Sequence, residues 1–250
     1  MSISRRRLIT TGVTAAAGFS GLAVAGRVAR NHGLIPPDHG GFLGLGETLD
    51  YAAHRLTRHS MAREFPPGEI SAKPFVNEMA PPNAEFKRLQ AGKFAEWRLA
   101  VDGMVERPAS LSVAQVKSYP SRSQITHLAC EEGWSYIAKW TGTPLSHILE
   151  AAGVRSAAKY LVYFSIEKDW WDSIDLDEAR HPQTLIAWGL NDGELPVGNG
   201  GPLRMRLPRQ LGYKNVKFIT RLTLTDDLRK FGKGLGSASP EQGYAWYAGI

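Results

Sequence analysis

Short apolar runs, separated by clusters of glycine and proline, dominate the hydrophobic pattern of the chain. Runs of this length that are rich in β-branched and aromatic residues are typical of β-strands. The runs that predict strands cover residues 97–101, 124–129, 160–166, 184–188, 203–207 and 217–225. Because only short helical stretches lie between them, the pattern predicts an α+β fold dominated by strands.

Helical periodicity is confined to a few stretches of the chain. Residues 47–58 carry an apolar stripe formed by Leu49, Ala52, Ala53 and Leu56. Further short helices are predicted over 112–116 and 144–152, the second of which begins with Pro144 and ends before Gly153. Proline at the start and glycine just past the end are the usual residues at helix termini.

The distribution of glycine, proline and apolar runs divides the chain into four predicted segments. They are a signal peptide over 1–25, an N-terminal arm over 26–74, a compact domain over 75–235 and a C-terminal tail over 236–250 that packs on the domain. No internal repeat of fixed period occurs, which excludes a solenoid or a propeller.

Composition fits one globular domain with a sizeable core, since the 250 residues are 43% hydrophobic and 22% charged. The formal net charge of +6 is compatible with an anionic ligand, a nucleic acid or a membrane surface. Lysine and arginine are scattered without a run of five, and no nucleic-acid motif occurs. We therefore expect no nucleic-acid partner.

The N-terminus has the features of an export signal. Residues 4–10, Ser-Arg-Arg-Arg-Leu-Ile-Thr, resemble the twin-arginine pattern, and an uncharged, weakly apolar stretch follows up to Gly26. The small residues Ala23-Val24-Ala25 offer a cleavage site, although the stretch is also just long enough to remain as an anchor. Export by the twin-arginine machinery predicts a location in the periplasm or on the extracytoplasmic face.

Cys130 is the only cysteine of the chain, so it cannot form an internal disulfide. A lone cysteine is usually a small buried hydrophobe. Here, however, Glu131, Glu132, Gly133 and Trp134 follow it directly. Carboxylates, a glycine and aromatic residues beside a lone thiol predict a loop that lines a ligand site, extending to about residue 140.

The motifs around and after Cys130 resemble a known family. They are Cys-Glu-Glu-Gly-Trp-Ser at 130–135, Lys-Trp-Thr-Gly-Thr-Pro-Leu at 139–145, Ser-Ile-Asp-Leu at 173–176, Pro-Gln-Thr-Leu-Ile-Ala at 182–187, Asn-Asp-Gly-Glu-Leu-Pro at 191–196, Asn-Gly-Gly-Pro-Leu-Arg at 199–204, Gly-Tyr-Lys-Asn-Val-Lys at 212–217 and Trp-Tyr-Ala-Gly-Ile at 246–250. Together they are similar to the sulfite-oxidase family of molybdopterin-dependent oxidoreductases, in particular its exported, periplasmic methionine sulfoxide reductase branch. The resemblance spans roughly residues 75–228 and also includes the closing motif at 246–250.

This resemblance implies a strand-rich mixed sheet or barrel domain that binds molybdenum-molybdopterin. It implies that Cys130 is the protein ligand to the metal, because a polarisable thiolate suits that centre. The cofactor-binding residues it implies are Asn77, Cys130, Ser165, Asn199, Arg204, Asn215, Val216 and Lys217. Lys217, with the backbone of Asn215 and Val216, is expected at the phosphate. Glu132 is the expected second catalytic residue, which handles protons.

The resemblance further implies two-electron oxygen-atom transfer on a small-molecule substrate. Where classical sulfite oxidases have an arginine-bearing loop, this chain has Glu131 and Glu132. Two acids disfavour an anion, so reduction of an S-oxide or N-oxide is favoured over sulfite oxidation. A single cysteine leaves no ligands for haem attachment or an iron–sulfur cluster, so a membrane haem protein or a soluble carrier is expected to exchange electrons. Lack of the family's dimerisation domain predicts a monomer.

Alternative functions stay open at this point. A non-enzymatic pterin- or anion-binding protein and a sulfite oxidase-like dehydrogenase would share the fold, and a hydrolase with Cys130 as nucleophile would need a histidine partner. Several residues also have structural interpretations: Lys214 and Lys217 as solvated charges, Trp170 and Trp171 as core residues or pocket rim, and His127 as a strand residue that points away from Cys130.

Overall fold

The computed structural model describes Arg27 and residues 34–37, 44–77, 80–81 and 83–250. The predicted signal peptide at 1–25 lies outside this part of the chain. In the described ranges, no helix is both long and apolar enough to cross a membrane.

A five-stranded sheet forms the first layer of the domain. Its strands are β1 (Arg98–Gly103), β2 (Ala109–Ser112), β5 (Tyr160–Ser165), β6 (Trp171–Asp175) and β10 (Ile219–Thr225). They lie in the order β2-β1-β10-β5-β6, and β10 is parallel to β1 and antiparallel to β5. The strand nearest the end of the domain thus occupies the centre of this sheet.

A second five-stranded sheet carries the candidate site. Its strands are β3 (Arg122–Ala129), β4 (Ser135–Pro144), β7 (Leu185–Leu190), β8 (Gly193–Glu194) and β9 (Arg204–Arg206). The order is β3-β4-β7-β8, and β9 also pairs with β7. The antiparallel ladder of β3 and β4 runs from Arg122 opposite Gly142 to Ala129 opposite Ser135, so the turn between them contains Cys130.

The helices are short. They are α1 (Gly44–Leu56), α2 (Ala84–Ala91), α3 (Val113–Ser118), α4 (Leu145–Ala152), α5 (Leu176–Ala179) and α6 (Ala238–Glu241). Ser112 and Gln115 form a reciprocal capping box on α3, and Gly153 ends α4 in the left-handed conformation. One apolar core joins α4 to both sheets, for example through Leu149, Leu222 and Met205.

The predicted α+β, strand-dominated fold is confirmed, with two corrections. Residues 130–140 were expected to be one loop, but β4 begins at Ser135 and only the turn before it is irregular. Alternate residues Tyr136, Ala138 and Trp140 are buried, which is the period of a strand. The second correction concerns α1: its predicted leucine stripe faces outward, with Leu49 63% and Leu56 78% exposed. Its buried face instead carries Glu47 and Tyr51.

Residues 44–65 of the arm pack on the domain through polar contacts. Tyr51 donates a hydrogen bond to Asp175 across 2.9 Å. Arg209 donates to the carbonyl of Arg58 at 3.0 Å and to other carbonyls at the end of α1. Phe65 N–H donates to the carbonyl of Ile125 in β3 at 2.9 Å. The arm is therefore held by hydrogen bonds as well as by aromatic packing, since the Tyr51 ring also packs against Trp246 and Tyr247.

A further contact between the arm and the domain, made by His181, predicts that the stability of the fold decreases at acid pH. His181 is buried, accepts from Gln183 N–H at Nδ1 (3.2 Å), and donates from Nε2 to the Ser60 carbonyl (3.2 Å). Burial, together with the positive charge of Arg209, lowers the pKa of His181 to about 4. In the unfolded chain this histidine is protonated below about pH 6.5, whereas in the folded protein it stays neutral down to about pH 4. The contribution of His181 to the free energy of unfolding is therefore fully present above pH 6.5 and is lost as the pH falls towards 4.

We expect the free energy of unfolding to fall by on the order of 2 kcal/mol from this group between pH 7 and pH 4.5. Urea unfolding of the wild type and of His181→Asn at both values measures the effect, because the carboxylates common to both proteins cancel in the difference. An equal pH dependence in the two proteins would contradict the prediction.

Candidate functional site

A cavity of about 390 Å³ opens beside the turn between β3 and β4. Its walls come from the arm, that turn, the segment after β5, residues 199–217 and the C-terminal tail. The lining residues are Phe75, Asn77, Cys130, Glu131, Glu132, Trp134, Tyr136, Glu167, Lys168, Trp170, Asn199, Arg204, Gly212, Tyr213, Asn215, Val216, Lys217, Gln242 and Tyr244. Widely separated parts of the sequence thus meet at one place.

A tight turn holds Cys130 at the cavity. Cys130 N–H donates to the Trp134 carbonyl at 3.0 Å, and Gly133, in the left-handed region, donates its N–H to the Cys130 carbonyl at 3.1 Å. The thiol Sγ lies 3.1 Å from Glu131 Oε2 and 3.9 Å from Glu132 Oε2. Burial, reinforced by the two carboxylates, raises the pKa of Cys130 to about 12.

Gly212 gives the thiol a backbone neighbour. A Cβ atom on Gly212 would lie 2.9 Å from Cys130 Sγ and 3.1 Å from its Cα. No side chain other than hydrogen fits there without moving one of the two segments. Gly212 begins the 3-10 turn Gly212–Lys214, which leads directly into the predicted phosphate residues 215–217. The segment 212–217 is thus in direct contact with the predicted metal ligand.

Asn215 organises the segment that follows this turn. Its Oδ1 accepts from Arg206 Nη1 at 3.0 Å and from Leu207 N–H at 2.7 Å, while its Nδ2 donates to the Leu211 carbonyl at 2.9 Å. The side chain is therefore fully used inside the protein. The backbone of Asn215 is also engaged, because its N–H donates to the Gly212 carbonyl at 2.9 Å and its carbonyl accepts from Arg204 Nη2 at 2.7 Å.

Two buried guanidinium groups, those of Arg204 and Arg206, each lie 5.2 Å from the centroid of the Trp140 ring. Arg204 donates to the carbonyls of Asn199 at 2.6 Å and Asn215 at 2.7 Å. Burial lowers the pKa of Arg206 to about 9. In the described part of the chain, neither guanidinium has a carboxylate within ion-pair distance. Positive charge held in this way beside a cavity favours an anionic ligand.

Lys217 and Asn199 connect the same wall to the rest of the protein. Lys217 Nζ donates to the Gly198 carbonyl at 2.9 Å, and a Cβ on Gly200 would lie 2.9 Å from Lys217 Cγ. Asn199 Nδ2 donates to the Phe75 carbonyl at 3.2 Å, which connects the wall to the arm. Both predicted cofactor residues thus line the cavity from defined positions.

Aromatic and acidic groups form the remaining wall. Phe75 and Trp134 stack with their centroids 4.8 Å apart, and Tyr213 and Tyr244 lie 5.2 Å apart. Trp134 Nε1 donates to Glu132 Oε2 at 2.6 Å, which orients that carboxylate. The cavity therefore has a wall of basic groups and amides and a wall of acids and aromatic rings.

The structure brings together every predicted site residue except Ser165, namely Asn77, Cys130, Glu132, Asn199, Arg204, Asn215, Val216 and Lys217. Ser165 ends β5 outside the lining, where its hydroxyl accepts from Glu167 N–H at 3.0 Å. Glu167 and Lys168, a few residues later, line the cavity instead.

Other residues take structural positions. Lys214 is fully buried in an ion pair with Asp172 and is not a solvated charge. Trp170 lines the cavity, whereas Trp171 belongs to a core cluster. His127 lies outside the lining with its ring 6.4 Å from that of Phe65. No histidine is among the described residues that line the cavity, whereas Glu131 and Glu132 lie within 3.9 Å of the Cys130 thiol.

Several lining residues were not predicted from the sequence. They are Phe75, Tyr136, Gln242 and Tyr244, which no local motif singled out. A signal existed for the last two, because the resemblance extends to residues 246–250 and so includes the tail that carries them. In the described part of the chain, no group of three or more His, Cys, Asp or Glu residues could hold a metal by itself.

The model of the oxidoreductase molybdopterin-binding domain matches residues 87–230. A protein of Azospira oryzae, provisionally named protein-methionine-sulfoxide reductase subunit YedZ1, is 33% identical over 183 residues, covering 73% of this chain and 66% of that protein. The protein-methionine-sulfoxide reductase catalytic subunit MsrP of Xanthomonas axonopodis pv. citri is 35% identical over 151 residues, covering 54% of this chain and 47% of the relative. MsrP of Xanthomonas campestris pv. campestris is 34% identical with the same coverage.

Among solved structures, the sulfane dehydrogenase SoxCD of Paracoccus pantotrophus superposes with a TM-score of 0.51 at 22% identity, covering 53% of this chain and 39% of that one. At this identity the likeness concerns the fold alone, and it confirms the expected domain type. The chain spans about half the length of the MsrP relatives that it matches.

Proposed function

The chain belongs to the oxidoreductase molybdopterin-binding domain family, and on that premise we propose that it is the catalytic part of an exported molybdenum enzyme that reduces S-oxides or N-oxides. The observation that carries the proposal is the position of Cys130. Its thiol contacts Gly212 of the basic wall on one side and two carboxylates on the other. Cys130 thus lies between the basic wall, which suits an anionic cofactor, and the acidic wall, which disfavours an anionic substrate.

The residues of the basic wall fit molybdenum-molybdopterin. Cys130 Sγ would be the ligand to the metal, Lys217 and the backbone of Asn215 and Val216 would hold the phosphate, and Asn77, Asn199 and Arg204 would hold the pterin. The buried charge of Arg204, which has no carboxylate partner in the described chain, supports this assignment. When bound, the metal centre supplies the two-electron oxygen-atom transfer.

The residues of the acidic wall would select and protonate the substrate. Glu131 and Glu132 lie within 3.9 Å of Cys130 Sγ and repel an anion such as sulfite, whereas a neutral oxide meets no such repulsion. The stacked rings of Phe75 and Trp134 would offer the substrate an apolar surface. Release of the substrate oxygen as water consumes two protons with the two electrons, and Glu132 Oε2, oriented by Trp134 Nε1, would pass protons to that oxygen.

Electrons would come from a separate partner. The chain's single cysteine is assigned to the metal, which leaves none for an iron–sulfur cluster. The Xanthomonas relatives are named as catalytic subunits, which supports a second subunit, either a membrane haem protein or a soluble carrier. We further propose twin-arginine export, a location on the extracytoplasmic side and a monomeric catalytic chain. The residue 4–10 motif supports the first two of these proposals.

Turnover by the cofactor-loaded protein tests the proposal. Molybdenum and pterin are quantified first, and kcat/KM is then compared for methionine sulfoxide, an amine N-oxide and sulfite, with an artificial electron donor or acceptor. We expect about one molybdenum per chain and reduction of an oxide at least about 10²-fold more efficient than sulfite oxidation. Faster sulfite oxidation would favour the dehydrogenase alternative, and a loaded but inactive protein would favour a pterin-binding protein.

A further inference from the structure

Lys214 belongs to the turn that carries the phosphate residues, yet its side chain points away from the cavity. It is 1% exposed, and its Nζ donates to Asp172 Oδ1 and, at 2.8 Å, to the Ser173 carbonyl. Asp172 is equally buried, in β6 of the first sheet. A buried charge pair therefore connects the segment 212–217 to the first sheet. This pair has no part in the function proposed above.

The same carboxylate holds the C-terminal segment, by which we mean residues 237–246. Ser239 Oγ donates to Asp172 Oδ2 at 2.7 Å. The neighbouring Ser173 hydroxyl lies 2.8 Å from Ser237 Oγ and accepts from Trp246 Nε1 at 2.8 Å. Lys214 Nζ also lies 5.2 Å from the centroid of the Trp246 ring. The C-terminal segment is thus attached near both of its ends to β6, the strand that contains Asp172 and Ser173.

The C-terminal segment in turn forms part of the cavity. Gln242 and Tyr244 line it, and Tyr213, next to Lys214, donates a hydrogen bond to the Ala245 carbonyl at 2.8 Å. From the other side, Tyr163 in β5 donates to the Lys214 carbonyl at 2.9 Å. The turn is therefore held between the first sheet and the C-terminal segment.

We propose that Asp172 and Lys214 are positioning residues that hold the turn at 212–217 against Cys130 and fix the C-terminal segment as a wall of the cofactor cavity. A buried ion pair is a poor source of stability, because desolvation of both charges offsets their attraction. Its geometry is demanding, however, since several donors must converge on one carboxylate. Such a pair suits the placement of a backbone segment within a fraction of an ångström.

Amide hydrogen exchange and cofactor release, measured on the full chain, test this inference. The double variant Asp172→Asn/Lys214→Met removes both charges together and so leaves no unpaired buried ion. In the cofactor-free protein, we expect exchange at residues 212–217 and 242–245 to become at least tenfold faster. In the loaded protein, we expect cofactor release at least tenfold faster and a shifted thiolate-to-molybdenum absorption band. The control is Leu149→Ala in α4, which destabilises the core away from the cavity.

A double variant with wild-type exchange at 212–217, or with increases no larger than those of Leu149→Ala, would overturn the inference. Ser239→Ala is the milder second variant, which removes one hydrogen bond from Asp172 and still decides the matter if the double variant does not fold. We expect at least threefold faster exchange at 212–217 in Ser239→Ala, and no change there would overturn the inference. It rests on the proposed function only for the identity of the cofactor, because the exchange measurement involves no turnover.

Discussion

Replacement of Cys130 by serine or alanine is expected to lower oxide reduction by more than about 10³-fold in kcat/KM while the protein stays folded. The loss follows from the chemistry of the side chain: a serine hydroxyl is harder and less acidic than a thiol, and alanine has no donor atom. Stability is expected to change little, because the Cys130 side chain is only partly buried and its hydrogen bonds are confined to Glu131 and Glu132.

Two measurements on these variants and one on the wild type separate the possible roles of the thiol. Molybdenum and pterin analysis reports whether the cofactor is still bound, circular dichroism reports the fold, and iodoacetamide labelling of the wild type reports whether the thiol is free. We expect the thiol to resist labelling until the cofactor is removed. A variant that keeps a tenth or more of wild-type turnover would rule out Cys130 as the metal ligand.

Gly212→Ala is expected to have the second-largest effect, a loss of at least about 10²-fold in activity. The added methyl group would stand 2.9 Å from Cys130 Sγ and 3.1 Å from Cys130 Cα, closer than real Cβ atoms pack. The φ of Gly212 is not in the left-handed region, so the substitution adds no backbone strain of its own. The clash alone must push the turn at 212–217 and Cys130 apart, at a cost of about 1–3 kcal/mol in stability.

Gly193→Ala provides the matched control. A Cβ at this position in β8 would meet only the Leu190 carbonyl, at an ordinary 3.7 Å. Activity, cofactor content and thermal unfolding of both variants are compared with those of the wild type. The control is expected to match the wild type, and a fully active Gly212→Ala protein would refute the close approach of the two segments.

The local parts of the site were predictable from the sequence. Cys130 with Glu131, Glu132 and Trp134 is a contiguous motif, and so is the stretch from Gly212 to Lys217. Residues that are contiguous in the sequence stay close together in space, so a local motif predicts their proximity without knowledge of the fold. Most strands were also predictable, because they are short apolar runs; β5 and β7, for example, are buried on both faces and so carry apolar residues at consecutive positions.

The parts that were missed depend on tertiary contacts. Lys214 and Lys217 are indistinguishable in a sequence pattern, yet the structure turns one towards Asp172 and the other towards the cavity. Arg206 was not singled out, because its partner Asn215 is brought to it only by the fold. The orientation of α1 was wrong for a related reason: its polar face finds buried hydrogen-bond partners, and Tyr51 donates to Asp175. Periodicity reports amphipathicity but does not report which face a protein covers.

The central place of β10 in the first sheet determines when the protein can acquire its cofactor. Ala100 of β1 pairs with Arg221 of β10, so this sheet has no middle strand until the ribosome has released almost the whole domain. The cavity, whose walls include residues 199–217 and Tyr244, is equally incomplete on a nascent chain. We therefore expect the proposed cofactor to be loaded only after these residues have been synthesised. Until β10 is available, one edge of β1 and one edge of β5 lack their partner strand, and unpaired edges of this kind are prone to aggregation.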